Sequence, residues 1–162
     1  MSNDIFKNLR RFQLEKVGTI DFSDGTPVYC PINIGDPAHE TPAVYLFCSR
    51  QLDWLEIFYV GKAGKGIRKR MEQHRGGFIK RRAEGKKHNL GDALSNRIQA
   101  NHTIEIWLRR AGTLNFKIID DTLVTLPDLD MLELGLIKLL RDEHSQPLVN
   151  KGDMISRGML QS

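Results

Sequence analysis

Cysteine is scarce in this chain, with two among 162 residues, Cys30 and Cys48. They stand far apart, match no metal-ligand spacing and fall in apolar, strand-like stretches. They read as small buried hydrophobes. A disulfide is the other reading, but nothing in the sequence argues for an oxidising compartment. Long apolar runs are missing too. None approaches the ~18 residues of a membrane span, so no membrane partner is expected. The opening Met-Ser-Asn-Asp lacks the basic and apolar regions of a secretory signal, which makes a cytoplasmic protein the expectation. Repeats and low-complexity tracts are absent. A hydrophobic fraction of 40% supports a true core and excludes a disordered chain. The length suits one domain with modest additions.

Acidic residues are also missing from one stretch. Between positions 62 and 87 there are eleven Lys or Arg but only Glu72 and Glu84 as acids. The segment carries +9, which leaves −5 for the remainder of a chain whose net charge is +4. Such asymmetry marks a polyanion-facing surface rather than a merely solvated helix face. The side chains expected to meet nucleic acid are Lys62, Lys65, Arg68, Lys69, Arg75, Lys80, Arg81, Arg82, Lys86 and Lys87.

A short helix is expected over residues 3–12. Strand-like stretches 14–20 and 27–34 flank an Asp24-Gly25 hairpin turn. Residues 35–42 hold two prolines and read as a connector. The pattern divides the chain into an N-terminal extension (1–40), a main domain (41–152) and a tail (153–162). Strands are expected over 43–49 and 56–61. Symmetric closure of that hairpin would set Tyr45 opposite Tyr59 and put two phenols on one face. A helix over 66–75 would turn Ile67, Arg70, Met71 and His74 inward. A basic loop should follow over 76–89, then a helix over 90–100, a strand over 103–110 and an extended piece over 115–119. The last element is a helix over 127–142, with Pro127 in its first turn and Asp128 and Asp130 near its start.

Two placements need an explanation. Glu133 falls within the stripe Leu129, Leu132, Leu136, Ile137, Leu140, and a buried carboxylate is costly unless paired or metal-bound. It either reaches water at the edge of the stripe or faces a pocket. Arg70 and His74 pose the same question on the other helix. A shared pocket of Tyr, Arg, His and Glu beside a basic surface suits phosphodiester hydrolysis. A guanidinium fork binds two phosphate oxygens, and one Glu with water and phosphate oxygens suits Mg²⁺. A phenol serves as general base if cations lower its pKa from ~10, and Lys62, Arg70 and His74 are candidates for doing so.

These pieces resemble the GIY-YIG endonucleases. Val44-Tyr45-Leu46 is similar to the first motif, with Val and Leu in place of Gly and Tyr, and Tyr59-Val60-Gly61 to the second. Arg70-Met71-Glu72-Gln73-His74 resembles the Arg helix, Leu132-Glu133-Leu134-Gly135 the Glu helix and Pro147-Leu148-Val149-Asn150 the closing segment. The resemblance spans about residues 43–151; the first 40 residues and the insert 76–89 have no counterpart. It implies an α+β fold with a small three-stranded antiparallel sheet flanked by helices, here preceded by the β-hairpin extension.

The resemblance also implies catalytic residues. Tyr45 would be the general base, Tyr59 its hydrogen-bonding companion, and Arg70 the transition-state stabiliser assisted by His74. Glu133 would hold Mg²⁺ or Mn²⁺, Asn150 would order the site, and Lys62 would tune a Tyr or contact phosphate. The compact chain with its basic insert looks like the restriction-enzyme or phage branch, and Leu94-Ser95-Asn96-Arg97-Ile98 is similar to a segment of some restriction members.

The function so implied is metal-dependent cleavage of DNA, by a monomer or a homodimer. A non-catalytic nucleic-acid-binding module and an RNA-directed nuclease or toxin are the rival readings. The loop 61–66 lacks the Gly-Lys-Ser/Thr of a nucleotide-hydrolysing P-loop. The five histidines lack zinc spacing, and Trp54 and Trp107 read as packing residues.

Overall fold

The computed structural model describes residues 2–117 and 123–150. In order they form helix α1 (Ser2–Arg11), strands β1 (Glu15–Ser23) and β2 (Thr26–Pro31), a 3-10 turn (Pro37–Glu40), and strands β3 (Ala43–Gln51) and β4 (Trp54–Ala63). Helices α2 (Ile67–Ala83) and α3 (Asn89–Gln99) follow, then strands β5 (Thr103–Arg110), β6 (Thr113–Lys117) and β7 (Leu123–Pro127), and helix α4 (Leu129–Lys138), which widens into a π-turn at Leu139–Glu143. The expected tail, 153–162, lies outside the described residues.

The main sheet has five strands, ordered β2-β1-β5-β3-β4, rather than three. The expected N-terminal hairpin forms at Asp24 and Gly25, both with positive φ, but it does not stand apart. Strand β1 pairs antiparallel with β5, Glu15 opposite Leu108. Alternating side chains announce a strand but not its neighbour, and β5 would otherwise present an unpaired edge. Strands β6 and β7 form a separate two-stranded ribbon.

Both faces of the sheet are covered. On one, Tyr45, Phe47, Ile104 and Ile106 pack with Ile67 and Met71 of α2 and Leu90 and Leu94 of α3. On the other, Val44, Leu46, Ile57, Val60 and Trp107 pack with Leu9 of α1 and Leu136 of α4. That is why β3 is fully buried from Ala43 to Ser49, and why Glu105 and Trp107 are buried as well as Ile104 and Ile106 on β5. Buried Glu105 binds Arg50 (2.6 Å), Lys16 (3.0 Å) and the Trp107 indole N–H (2.9 Å). No helix among the described residues is long and apolar enough to cross a membrane.

Three local expectations are corrected. Helix α2 continues through the Gly76-Gly77 pair into the expected basic loop. Phe78 extends its buried stripe and packs on α3, where a Cβ on Gly91 would fall 1.9 Å from the Phe78 ring. That packing outweighs the ~1 kcal/mol helix cost of each glycine. Pro127 ends β7 rather than opening α4. The β3–β4 register sets Tyr45 opposite Gly61, and Tyr59 opposite Phe47. The turn closes with Gln51 opposite Trp54, one residue later than symmetric closure assumed, and a β-bulge at Phe58 adds the second.

Candidate active site

Tyr45 and Tyr59 share the face of the β3–β4 hairpin that α2 covers, with ring centroids 5.9 Å apart. A Cβ at Gly61 would lie 2.5 Å from the Tyr45 Oη, so only glycine admits the phenol at this register. From α2, His74 and Arg70 project one turn apart onto the same spot. Tyr45 Oη lies 2.5 Å from His74 Nε2, and the His74 ring stands edge-on to Tyr59 at 5.9 Å. Arg70 is half-buried beside both phenols. Its Nη1 donates to Gln73 (3.2 Å), while its buried Nε meets no acceptor.

The electrostatics differ from the expected ones. Tyr45 is 0% exposed, and burial pushes its hydroxyl well above the ordinary phenol range, with Tyr59 adding to the rise and Arg70 only partly opposing it. Neighbouring cations therefore do not make Tyr45 a ready phenolate. His74 is pushed down to about 3, by burial first and then by the charges of Arg70 and His88. It is a neutral imidazole at neutral pH, paired with a protonated phenol.

Glu133 lies on α4, across the sheet, close enough to Arg70 for their charges to interact. Helix α4 buries Leu136, and Glu133 sits at the margin of that stripe, its side chain 18% exposed. Burial raises its carboxyl, while Lys62 and Arg70 counter the rise. Lys62, on β4, bonds Asp130 and lies 3.7 Å from Glu133. Arg70 and Glu133 belong to elements on opposite faces and sense each other around β4, the edge strand of the sheet. Beyond Tyr59, Lys62, Lys65, Lys69 and Arg70 line a cleft of about 500 Å³ with Asp130 at its rim.

Asn150 holds β4 in place. Its side chain accepts from the Val60 N–H (2.9 Å) and donates to the Val60 carbonyl (2.6 Å). Gln146 accepts from the Ile57 N–H (2.9 Å) and the Val149 N–H donates to the Phe58 carbonyl (2.7 Å). The segment 146–150 thus pairs with the edge of β4 beside Tyr59 without contributing a group to the cleft.

Asp130 escaped the sequence reading because it served as a helix-start acid. Its i, i+3 spacing from Glu133 was the available signal that both carboxylates share one face. Whether the site suits a divalent ion rests on these two groups. They already share one cation, the Lys62 ammonium, and Glu133 is held in a half-buried place where a positive charge relieves its desolvation. Among the described residues no group of three or more His, Cys, Asp or Glu gathers as a metal site, so a divalent ion here would rest on these two carboxylates with water and phosphate oxygens.

The basic residues divide between two flanks of α2. Lys69 and Arg70 face the cleft, with Lys65 just before the helix. Arg68 and Arg82 lie toward the β1–β2 side, where Arg68 pairs with Glu40 (2.8 Å) and Arg82 donates to the Gly25 carbonyl (3.1 Å). Arg75, Lys80, Arg81 and Lys87 are exposed, and Lys86 pairs with Glu84 (2.9 Å).

No family model matches the sequence, and no curated protein does. Solved structures do. A point mutant of bacteriophage T4 EndoII superposes with a TM-score of 0.64 at 17% identity, over 88% of this chain and 96% of that one. The restriction endonuclease HPY188I, solved in complex with product DNA, superposes with a TM-score of 0.52 at 13% identity, over 87% of this chain and 82% of its own. At these identities the shared property is the fold: this chain has the fold of two endonucleases.

Proposed function

We propose that the protein is a metal-dependent DNA endonuclease of the GIY-YIG type, with its active site at the end of the β3–β4 hairpin. One observation carries the reading. Tyr45, Tyr59, Arg70 and His74 meet on one face of the hairpin, within the electrostatic reach of Glu133, beside a cleft lined by four Lys and Arg side chains. The likeness to two endonuclease structures supports the fold on which this rests.

Each residue then has a role. Glu133, with Asp130 beside it, would hold Mg²⁺ or Mn²⁺, which when bound adds positive charge against the scissile phosphate and the leaving oxygen. Arg70 takes two phosphate oxygens in its fork. Tyr59, more accessible than Tyr45, orients the phosphate or the attacking water by hydrogen bonding. Because Tyr45 is protonated, it acts as a relay: it takes the water proton on Oη as it passes its own to His74 Nε2. Burial is the main cause of the low His74 value; a phosphate bound to Arg70 favours the transfer by opposing the smaller contribution of the Arg70 charge. Lys65, Lys69 and the exposed cations of α2 hold the DNA backbone, so binding should weaken steeply with salt. Lys62 lies between the two carboxylates and holds them together.

The test is cleavage of supercoiled plasmid in Mg²⁺, Mn²⁺ or EDTA by the wild type and by Glu133→Ala. Metal-dependent nicking or linearisation by the wild type, lost in the variant while DNA binding in EDTA persists, is the expected result. Cleavage by Glu133→Ala at the wild-type rate would overturn the assignment. Binding without cleavage by the wild type would favour a binding module or an RNA substrate.

A further inference from the structure

A second groove lies at the far end of α2 from Arg70, with a volume of about 560 Å³. Its walls are the C-terminal turns of α2, the tip of the β1–β2 hairpin and α3. Three properties fit it to a nucleotide. The inner wall is apolar: Phe22 and Phe78 meet edge-on at 6.2 Å, and Ile98 adjoins them. One rim is basic, formed by Arg82 and by Lys86, whose exposed ammonium also pairs with Glu84. The other rim is a polar row on α3, with Asp92, Ser95 and Gln99 at i, i+3, i+7 spacing.

The groove is built from several elements. Arg82 lies over Gly25, where a Cβ would approach its Nη1 to 2.5 Å, and it donates to the Gly25 carbonyl. Gly91 admits the Phe78 ring against α3, and His88 Nδ1 accepts from the Gly91 N–H (2.9 Å) at the start of that helix. Of these groups His88 is felt at the Tyr45–Glu133 site, where it helps to lower His74; Arg82, Phe22 and Phe78 line only the groove.

We propose that this groove is a second DNA subsite, seating one nucleotide of the bound strand with its phosphate against Arg82 and Lys86 and its base against Phe22, Phe78 and Ile98. Twelve residues of helix separate Arg70 from Arg82, about 18 Å at ~1.5 Å per residue. Because the two side chains lie on different flanks of α2, a strand joining them spans at least roughly five nucleotide steps at ~3.4 Å. Asp92 is placed to accept from an exocyclic amino group, which disfavours thymine at this place. The spacing to the scissile phosphate rests on the nuclease reading; the binding itself does not.

The experiment uses the full chain in EDTA and a fluorescein-labelled 20-bp DNA duplex of mixed sequence, read by fluorescence anisotropy. The double variant Arg82→Gln/Lys86→Gln should bind about tenfold more weakly, with a salt slope shallower by about two. Ser95→Trp fills the groove and should weaken binding at least fivefold; Gln99→Trp, at the exposed rim, replaces it if thermal melting shows Ser95→Trp unfolded. A single abasic site walked along the duplex should lower wild-type affinity at one position and leave the groove-filled variant indifferent there.

Wild-type affinity in the variants, or a flat abasic profile, would overturn the subsite. Tighter binding of the matched RNA duplex would overturn the assignment to DNA. Loss of the subsite with plasmid cleavage intact would leave the nuclease reading standing. Groove-dependent binding by a protein that cuts nothing in Mg²⁺ or Mn²⁺ would do the reverse.

Discussion

Tyr45 Oη and His74 Nε2 lie 2.5 Å apart, joining the middle of the sheet to the face of α2. The phenol is held protonated and the imidazole neutral, because burial disfavours the charged form of each. The pair is a hydrogen-bonded relay rather than a preformed phenolate.

His74 should make stability depend on pH. Its folded pKa, about 3, lies below the usual 6.5, so between those values the unfolded chain binds the extra proton. Stability then falls as pH falls through that window. Between pH 7 and pH 5 the His74 contribution should drop by about 1–2 kcal/mol. Urea denaturation of the wild type and His74→Gln at both pH values measures it, and an equal pH dependence in the two proteins would show that His74 is not the group responsible.

Gly61→Ala should displace the Tyr45 ring, because the new methyl carbon would stand 2.5 Å from Cζ and Oη. A loss of about 1–3 kcal/mol is expected for such crowding. Plasmid cleavage should fall by more than the folded fraction accounts for. Measuring both on one preparation separates misplacement of the phenol from unfolding.

Lys62→Met should change how protons and metal compete at Glu133. Burial raises that carboxyl and Lys62 is the main group countering the rise. Without the ammonium the carboxyl moves higher still, so protons exclude Mn²⁺ at a higher pH than in the wild type. Calorimetric titration with Mn²⁺ from pH 5 to pH 8 reads this directly; an unshifted profile would argue that Lys62 does not act on Glu133.

Glu105→Gln should be among the costliest substitutions. Burial alone would raise this carboxyl, but bonds from Arg50, Trp107 and Lys16 outweigh it and hold the group below its usual range. Its contribution is therefore present above the unfolded pKa and lost as pH falls through the folded one. Arg50 and Lys16 stay about a third exposed, so the loss should be about 1–3 kcal/mol rather than the ~3–5 kcal/mol of a fully buried pair. Urea denaturation at pH 7 should show a loss of that size, and a change under ~1 kcal/mol would reject the network as a structural element.

The sequence by itself determined the local elements and their chemistry. The 103–110 strand appears as read, and so do the Asp24-Gly25 turn and the inward stripe of Ile67, Arg70, Met71 and His74, because these depend on periodicity and turn residues a few positions apart. Only the tertiary structure decided which strands pair, how far α2 runs and where charge is stable. Strand β1 finds β5 across about ninety residues, Phe78 carries α2 past two glycines to reach Gly91, and the closure at Gln51–Trp54 together with the bulge at Phe58 moves Tyr45 from Tyr59 to Gly61. The phenol's state was equally out of reach: the nearby cations are legible in the sequence, but the burial that outweighs them exists only once two helices and a sheet have closed over Tyr45.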